Sequence, residues 1–427
     1  MKTAFFLIGA GSVAGIFMAV ASPAAALDPS EQKIVAYVDG HPDDFGADLK
    51  QAVDIDSATE NLAGVRRESD FMAALLSPLG FECRFVPLPA STGRAGHLIA
   101  ERRGTKGKRL LLIGHLDTVF PGANFKRDGS AVRGAGVADM KGGDLVMIHA
   151  LRALFAAGAL DGARIIVVMD GDEEAPGTPL DVSRAALRDA ASRSDLALAF
   201  ESAIGQTGTV ARRGFVSWEL EVQGASGHSS GMFSNPVGYG SIYEAARILD
   251  AFQARLSKID GITANPAMIV GGSTVGLDRT GGTTAGKSNV IAQRTLVRGD
   301  IRFLSAAQLG QAKAVMEEIV QRHLPRTSAT LSFHEDGYPA MEDRPVNREL
   351  LAQLDRVSRD LGDGPITAFD PRGRGAGDIA FVSPPLPGLD GLGLGGTGEH
   401  STKEAADLKP APMLIKRAAL LFYRLTR

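Results

Sequence analysis

Apolar and polar positions fall into two alternating rhythms over the first half of the chain. Residues 57–79 repeat apolar side chains at helical spacing, whereas short apolar runs at 81–86, 97–102 and 110–113 read as strands. A helix at 140–157, a strand at 163–169, a helix at 180–193 and a strand ending at Phe200 continue the alternation. Such an order predicts an α/β fold built on a doubly wound, mostly parallel sheet. Gly114, Gly171 and Gly177 are expected in loops at its edge.

After Gly214 the pattern changes. Trp218, Leu220 and Val222 alternate with glutamates, the mark of a half-buried strand. Pro236 is expected to open a helix to about Leu256; strands at 268–275 and 289–303, a helix at 306–323 and a strand at 329–334 follow. The order β-α-β-β-α-β is that of a ferredoxin-like unit, an antiparallel sheet with two helices on one face. From about Gly337 the first pattern returns through a helix at 347–361, a strand at 366–369 and a helix at 411–424. The expected organisation is a catalytic domain in two parts, 27–212 and 337–427, with a lid and dimerisation domain, 213–336, inserted between them.

A length of 427 residues exceeds one compact core, and two domains fit it. With 46 basic against 49 acidic residues and no basic run, the charge offers nothing to a nucleic acid. Lys2, the apolar stretch 4–20 and the small residues at 22–26 make a secretory signal cleaved near Ala26. The mature chain is therefore expected in the periplasm or outside the cell, without a membrane anchor. The single cysteine, Cys83, excludes an intramolecular disulfide and reads as a small buried hydrophobe. Gly9-Ala10-Gly11-Ser12-Val13-Ala14 matches a dinucleotide fingerprint by chance, since it lies in the export signal with no strand before it.

Against this background, acids and histidines gather where strands end. His115 and Asp117 follow the run at 110–113, Glu173 and Glu174 follow 165–169, and Glu201 follows 196–200. In open α/β sheets the ligand crevice lies beyond the carboxyl ends of the strands. With Asp139 and the distant His400, these residues make the donor set of a two-metal hydrolase, its ions sharing one carboxylate roughly 3.5–4 Å apart. Each element has a plainer reading. Asp139, in a glycine-rich turn, could simply cap the next helix, and Glu173-Glu174 could be a solvated acidic turn. In the pattern His-x-Asp, His115 suits a ligand and Asp117 the carboxylate that orients it. His41, His97, His149, His323 and His334 lack acidic company and read as structural or exposed.

Gly114-His115-Leu116-Asp117-Thr118-Val119, the Asp139 turn and Asp172-Glu173-Glu174 resemble, in order, motifs of the co-catalytic zinc metallopeptidase family. That family includes aminoacylase, acetylornithine deacetylase, succinyl-diaminopimelate desuccinylase and bacterial glutamate carboxypeptidase. Phe200-Glu201-Ser202 is most similar to the last branch. The resemblance implies two zinc ions, or cobalt or manganese in their place. His115 and Glu201 would hold one ion, Glu174 and His400 the other, and Asp139 would bridge them. It further implies Glu173 as general base, Asp117 as support for His115, and a cis peptide after Asp139.

His228 resembles the family histidine that reaches a partner subunit's active site, which implies a homodimer through the lid. There it would stabilise the oxyanion. Asn289 and Arg302 resemble lid residues that bind the substrate carboxylate, although a strand arginine paired on the surface is the plainer reading of Arg302. Arg374 and Asp378 fall where relatives carry a substrate-contacting loop. The implied substrate is a small peptide or N-acyl amino acid with a free carboxylate, glutamate being implied by the resemblance alone. Pro176 and Pro179 stiffen a loop that is often glycine- and serine-rich in relatives.

Three rivals stand beside this reading. One is an N-acyl amino acid deacylase of the same mechanism, and another is a periplasmic solute-binding protein of two α/β lobes. The third is a serine hydrolase built on Gly227-His228-Ser229-Ser230-Gly231, which would need a helix directly after Ser229 and leaves the acids unexplained.

Overall fold

The computed structural model describes residues 26–278 and 281–427; the expected export signal, apart from its last residue, Ala26, lies outside the described residues. At its centre is a six-stranded sheet in the order Glu82–Pro87, Gly96–Arg102, Ala163–Asp170, Lys106–His115, Leu196–Ala199 and Gly388–Leu389. The last four strands run parallel, and the first two are added at one edge through antiparallel pairings. Alternation in Lys106–His115 decides how both faces are covered. Leu110 and Leu112 pack with helices Lys141–Ala156 and Ala411–Leu425, while Leu111 and Ile113 pack with Leu187 and Ile379 on the other face. Because His115 lies opposite Asp170 and Ile113 opposite Ala199, the three strands end together at one rim.

The inserted segment makes a second, antiparallel sheet in the order Thr263–Gly272, Arg294–Phe303, Gly214–Gly224 and Thr327–Phe333. Val216, Trp218, Leu220 and Val222 all point to one face, where they pack with residues of helices Gly240–Leu256 and Ala306–Val320. A hairpin, Thr274–Leu277 with Gly282–Ala285, extends from it.

Several elements differ from the pattern reading, each for a local reason. The helix expected at 57–79 begins at Leu62, where the Asn61 side chain accepts from the Gly64 amide at 3.0 Å. The residues before it bridge Ala58 to Thr118 instead. The expected helix at 180–193 is two helices, Leu180–Ser183 and Ala185–Ser192, divided at Arg184, whose side chain is fully buried in ion pairs. Gly114 lies inside a strand rather than a loop, backed so closely by Asp144 that a side chain would collide with it. The helix expected from Pro236 starts only at Gly240, which is left-handed like Gly238 two residues before it. Thr367–Ala368 pairs with Thr207–Gly208, outside the central sheet. Helices Pro29–Gly40 and Asp44–Val53 precede the first expected element.

Candidate metal centre

His115, Asp139, Glu173, Glu174, Glu201 and His400 come together at the rim where the parallel strands end. Three overlapping groups place their ligand atoms within 4.8 Å of one another: His115 with Asp139 and Glu201, Asp139 with Glu174 and His400, and His115 with Glu173 and Glu174. Asp139 is the common member of the first two. Its Oδ1 lies 3.3 Å from His115 Nε2 and its Oδ2 lies 3.1 Å from His400 Nε2. His400 Nε2 is also 3.3 Å from Glu174 Oε2.

The surroundings set the charges. Burial, followed by the fields of Glu201 and Asp139, pushes the Glu173 carboxyl up to about 8. Burial, Asp139 and Glu173 push Glu174 up to about 11. Burial also raises Glu201, with Arg212 opposing it. Although burial works against it, Asp139 stays well below the ordinary carboxylate range because both histidines hydrogen-bond to it. Carboxylates crowded in this way ionise together only beside a cation. Imidazole and carboxylate donors at this spacing therefore fit divalent ions of the zinc type.

Neighbouring groups fix each donor. His115 Nδ1 faces the Asp117 main-chain carbonyl at 3.0 Å, with the Asp117 carboxylate farther off at 3.5 Å. That carboxylate instead accepts from the Glu173 amide at 3.0 Å, the Glu174 amide at 3.1 Å and Thr59 Oγ1 at 2.6 Å. Asp117 thus holds the two-glutamate turn as well as the ring, a double role that the expected pairing with His115 alone did not include. The Asp139 loop is tied by Glu404, which accepts from the amides of Gly136, Ala138 and Asp139 at 2.8, 2.9 and 3.0 Å. The Asp139–Met140 peptide is cis, as the resemblance implied. Behind Glu201 stands Arg212, buried, with Nε 2.6 Å from Asp390 Oδ2 and a terminal nitrogen 3.5 Å from Glu201 Oε2.

Other expected site residues are held by partners of their own. Arg302 pairs with Asp300 at 2.6 Å and lies over the Phe215 ring, so the plainer reading of a paired strand arginine describes it in this chain. Arg374 is nearly buried and donates to the Ser202 carbonyl at 2.6 Å, and Asp378 is buried against Arg184 at 2.7 Å. Packing thus occupies both, and neither forms an open substrate loop. His228 and Asn289 sit together on the exposed part of the inserted unit, where His228 bridges to Val290 and its Nδ1 lies 2.8 Å from Ser230 Oγ. Among the described residues none of their contacts reaches the acidic cluster. Ser229 opens a single 3-10 turn, not the helix a nucleophile elbow requires.

Glu404, Arg212, Tyr338 and Thr59 went unnoticed in the sequence. Glu404 follows His400 by four positions, and that spacing was the one local signal available.

A family profile described as Peptidase family M20/M25/M40 matches residues 111–425. Carboxypeptidase G2 of Pseudomonas sp. (strain RS-16) is 26% identical over 385 residues, covering 87% of each chain. A succinyl-diaminopimelate desuccinylase of Novosphingobium aromaticivorans is 30% identical over 285 residues, 62% of this chain and 70% of that one. Among solved structures, the aminopeptidase PepT of Bacillus cereus superposes with a TM-score of 0.70 at 18% identity, covering 92% of this chain and 98% of that one. The M20 family metallo-carboxypeptidase Sso-CP2 of Sulfolobus solfataricus gives 0.66 at 14% identity, covering 90% and 99%. Membership removes the solute-binding and serine-hydrolase readings: this chain belongs to the M20/M25/M40 peptidase family, metal-dependent hydrolases of amide bonds.

Proposed function

We propose that this chain is an exported, glutamate carboxypeptidase-like exopeptidase. It cleaves the amide bond of small peptides or N-acyl amino acids that end in a free carboxylate. His115 and Glu201 would hold one zinc ion, Glu174 and His400 a second, with Asp139 shared between them. Ions bound there supply Lewis acidity to a carbonyl oxygen and make water easier to deprotonate. Glu173 takes the proton from the attacking water and returns it to the leaving amine nitrogen. Its raised carboxyl, on a residue whose own amide donates to Asp117, suits both transfers. His228 of a second copy, docked through the inserted unit, stabilises the oxyanion, and Asn289 takes the substrate carboxylate across the same junction.

A single observation carries this reading: the two oxygens of Asp139 face two different histidines, each of which has a glutamate close by. Carboxypeptidase G2, matched along most of its length, supports a carboxypeptidase, while glutamate as the leaving residue rests on the resemblance of Phe200-Glu201-Ser202. The desuccinylase relative favours a second reading, a deacylase of the same mechanism.

Turnover of N-acyl-glutamates against N-succinyl and N-acetyl diamino acids separates the two. Glu173→Gln should abolish hydrolysis while keeping fold and zinc; a variant that still turns over would remove Glu173 as the base. Mixing His228→Ala with Glu173→Gln should restore part of the activity, because hybrid dimers keep one complete site. Inactive mixtures would count against the shared site. Fractionation of cells making the full chain should place it outside the cytoplasm.

A further inference from the structure

The two segments that connect the inserted unit to the central sheet cross one another beside the metal centre. Arg212 and Met341 exchange main-chain hydrogen bonds at 2.9 and 3.1 Å, and the Phe215 amide donates to the Tyr338 carbonyl at 3.0 Å. The approach is so close that a side chain at Gly337 would meet the Phe215 carbonyl oxygen at 2.1 Å. Tyr338 stacks on Phe215 with ring centres 5.5 Å apart and planes 17° apart. Wherever the inserted unit seats, this ring follows.

The hydroxyl of Tyr338 points at Glu173. Only 3% of the residue is exposed, and its Oη lies 2.9 Å from the Glu173 carbonyl oxygen and 2.7 Å from Arg184 Nη2. A guanidinium can only donate, so the tyrosine oxygen accepts from Arg184 and its one proton goes to Glu173. Arg184 is itself fixed by Asp172 at 2.6 Å and Asp378 at 2.7 Å. Since Asp117 takes the Glu173 amide, the main chain of this residue is held from both ends, by the sheet rim at its nitrogen and by the connecting segment at its carbonyl. Beyond the rings lies a cavity of 1230 Å³, bordered by Phe215, Phe303, Lys313, Tyr338 and Phe381. The connection therefore borders open space on that side.

We propose that Tyr338 is a positioning residue for the hydrolysis: its hydroxyl, carried on the segment leaving the inserted unit, holds the main chain of Glu173 in register with the metal centre. This rests on Glu173 being the base. The seating of the inserted unit then sets the aim of the base without a direct contact to substrate.

Tyr338→Phe keeps the ring and its stacking and removes only the hydroxyl. On an N-acyl-glutamate, kcat should fall about tenfold, the scale of one well-made hydrogen bond, with KM within about twofold and zinc content unchanged. Phe215→Leu leaves the hydroxyl but loosens the ring, and kcat should fall about threefold with the same constancy of KM. It carries the test alone if Tyr338→Phe does not fold, and wild-type kcat in the variant that folds overturns the proposal. Loss of zinc together with activity in Tyr338→Phe also overturns it, because the hydroxyl would then serve only the fold. Glu173→Gln, run in parallel, keeps the two ideas apart: activity there removes the base assignment, whereas an inactive Glu173→Gln beside a fully active Tyr338→Phe removes only the positioning role.

Discussion

Glu404→Gln tests whether the Asp139 loop is held from the His400 side. The carboxylate takes the Gly136 amide on one oxygen and the Ala138 and Asp139 amides on the other. Glutamine keeps one acceptor oxygen, so at least one amide faces an NH2 group and loses its bond. A hydrogen bond to a charged group contributes about 1.5–3 kcal/mol, and the bonds that survive weaken once the charge is gone. Opposing this, burial holds the Glu404 carboxyl above its ordinary range, so removing the charge recovers part of the desolvation cost. The net loss should be about 1.5–2 kcal/mol, concentrated in the loop that carries the shared carboxylate. That corresponds to roughly ten- to thirtyfold weaker zinc binding, within the usual effect of groups that orient ligands. Competition against a zinc chelator measures it directly, with thermal unfolding of metal-free protein reporting the part that is simply stability. Wild-type zinc affinity and turnover in Glu404→Gln would refute the reasoning, because the loop would then hold its shape without the carboxylate.

Two other predictions follow from buried charge. Glu68 is buried 3.4 Å from Lys141 Nζ, whose protons go instead to the carbonyls of Ala52 and Ile55 at 2.8 and 2.7 Å. Burial raises its carboxyl from 4.5 to about 7, so the folded state holds this proton more tightly than the unfolded chain. Unfolding free energy should therefore fall by up to about 3 kcal/mol as pH rises from 4.5 to 7 and lose nothing more from this group above that. Urea unfolding of Glu68→Gln should show that this share of the slope has gone, making the variant the more stable protein at pH 8; an unchanged slope would contradict it. Arg212→Met leaves Asp390 and Glu201 without their shared cation and should cost about 3–5 kcal/mol by urea unfolding, whereas a loss under 1 kcal/mol would mean the pair is not isolated from water.

The ligand set was legible because each donor except Asp139 and His400 directly follows an apolar strand, and because glycines mark the Asp139 and His400 loops. Strand-end position is a local property, and sequence records local properties well. Arg212, Glu404 and Tyr338 carry no such mark. Their partners, Asp390, Asp139 and Glu173, are each far away along the chain, so only folding brings them together. Asp117 shows the same limit at short range: period two placed its carboxylate beside His115, but the carboxylate turns to the amides of residues 173 and 174. Arg302 and Arg374 were expected as substrate contacts by resemblance, and in this chain Asp300, Phe215 and Ser202 satisfy them. The first helix carries its own sequence mark. Pro29 at its start, with Asp28 and Glu31 forming a reciprocal cap, is a plain initiation signal.

The most direct test is a titration of chelator-stripped protein with zinc, following hydrolysis and bound metal together. Activity should rise from zero and level off at two ions per chain, and Asp139→Ala should bind neither ion tightly. Full turnover by protein holding no metal, or saturation without any dependence on Asp139, would contradict the shared-carboxylate centre.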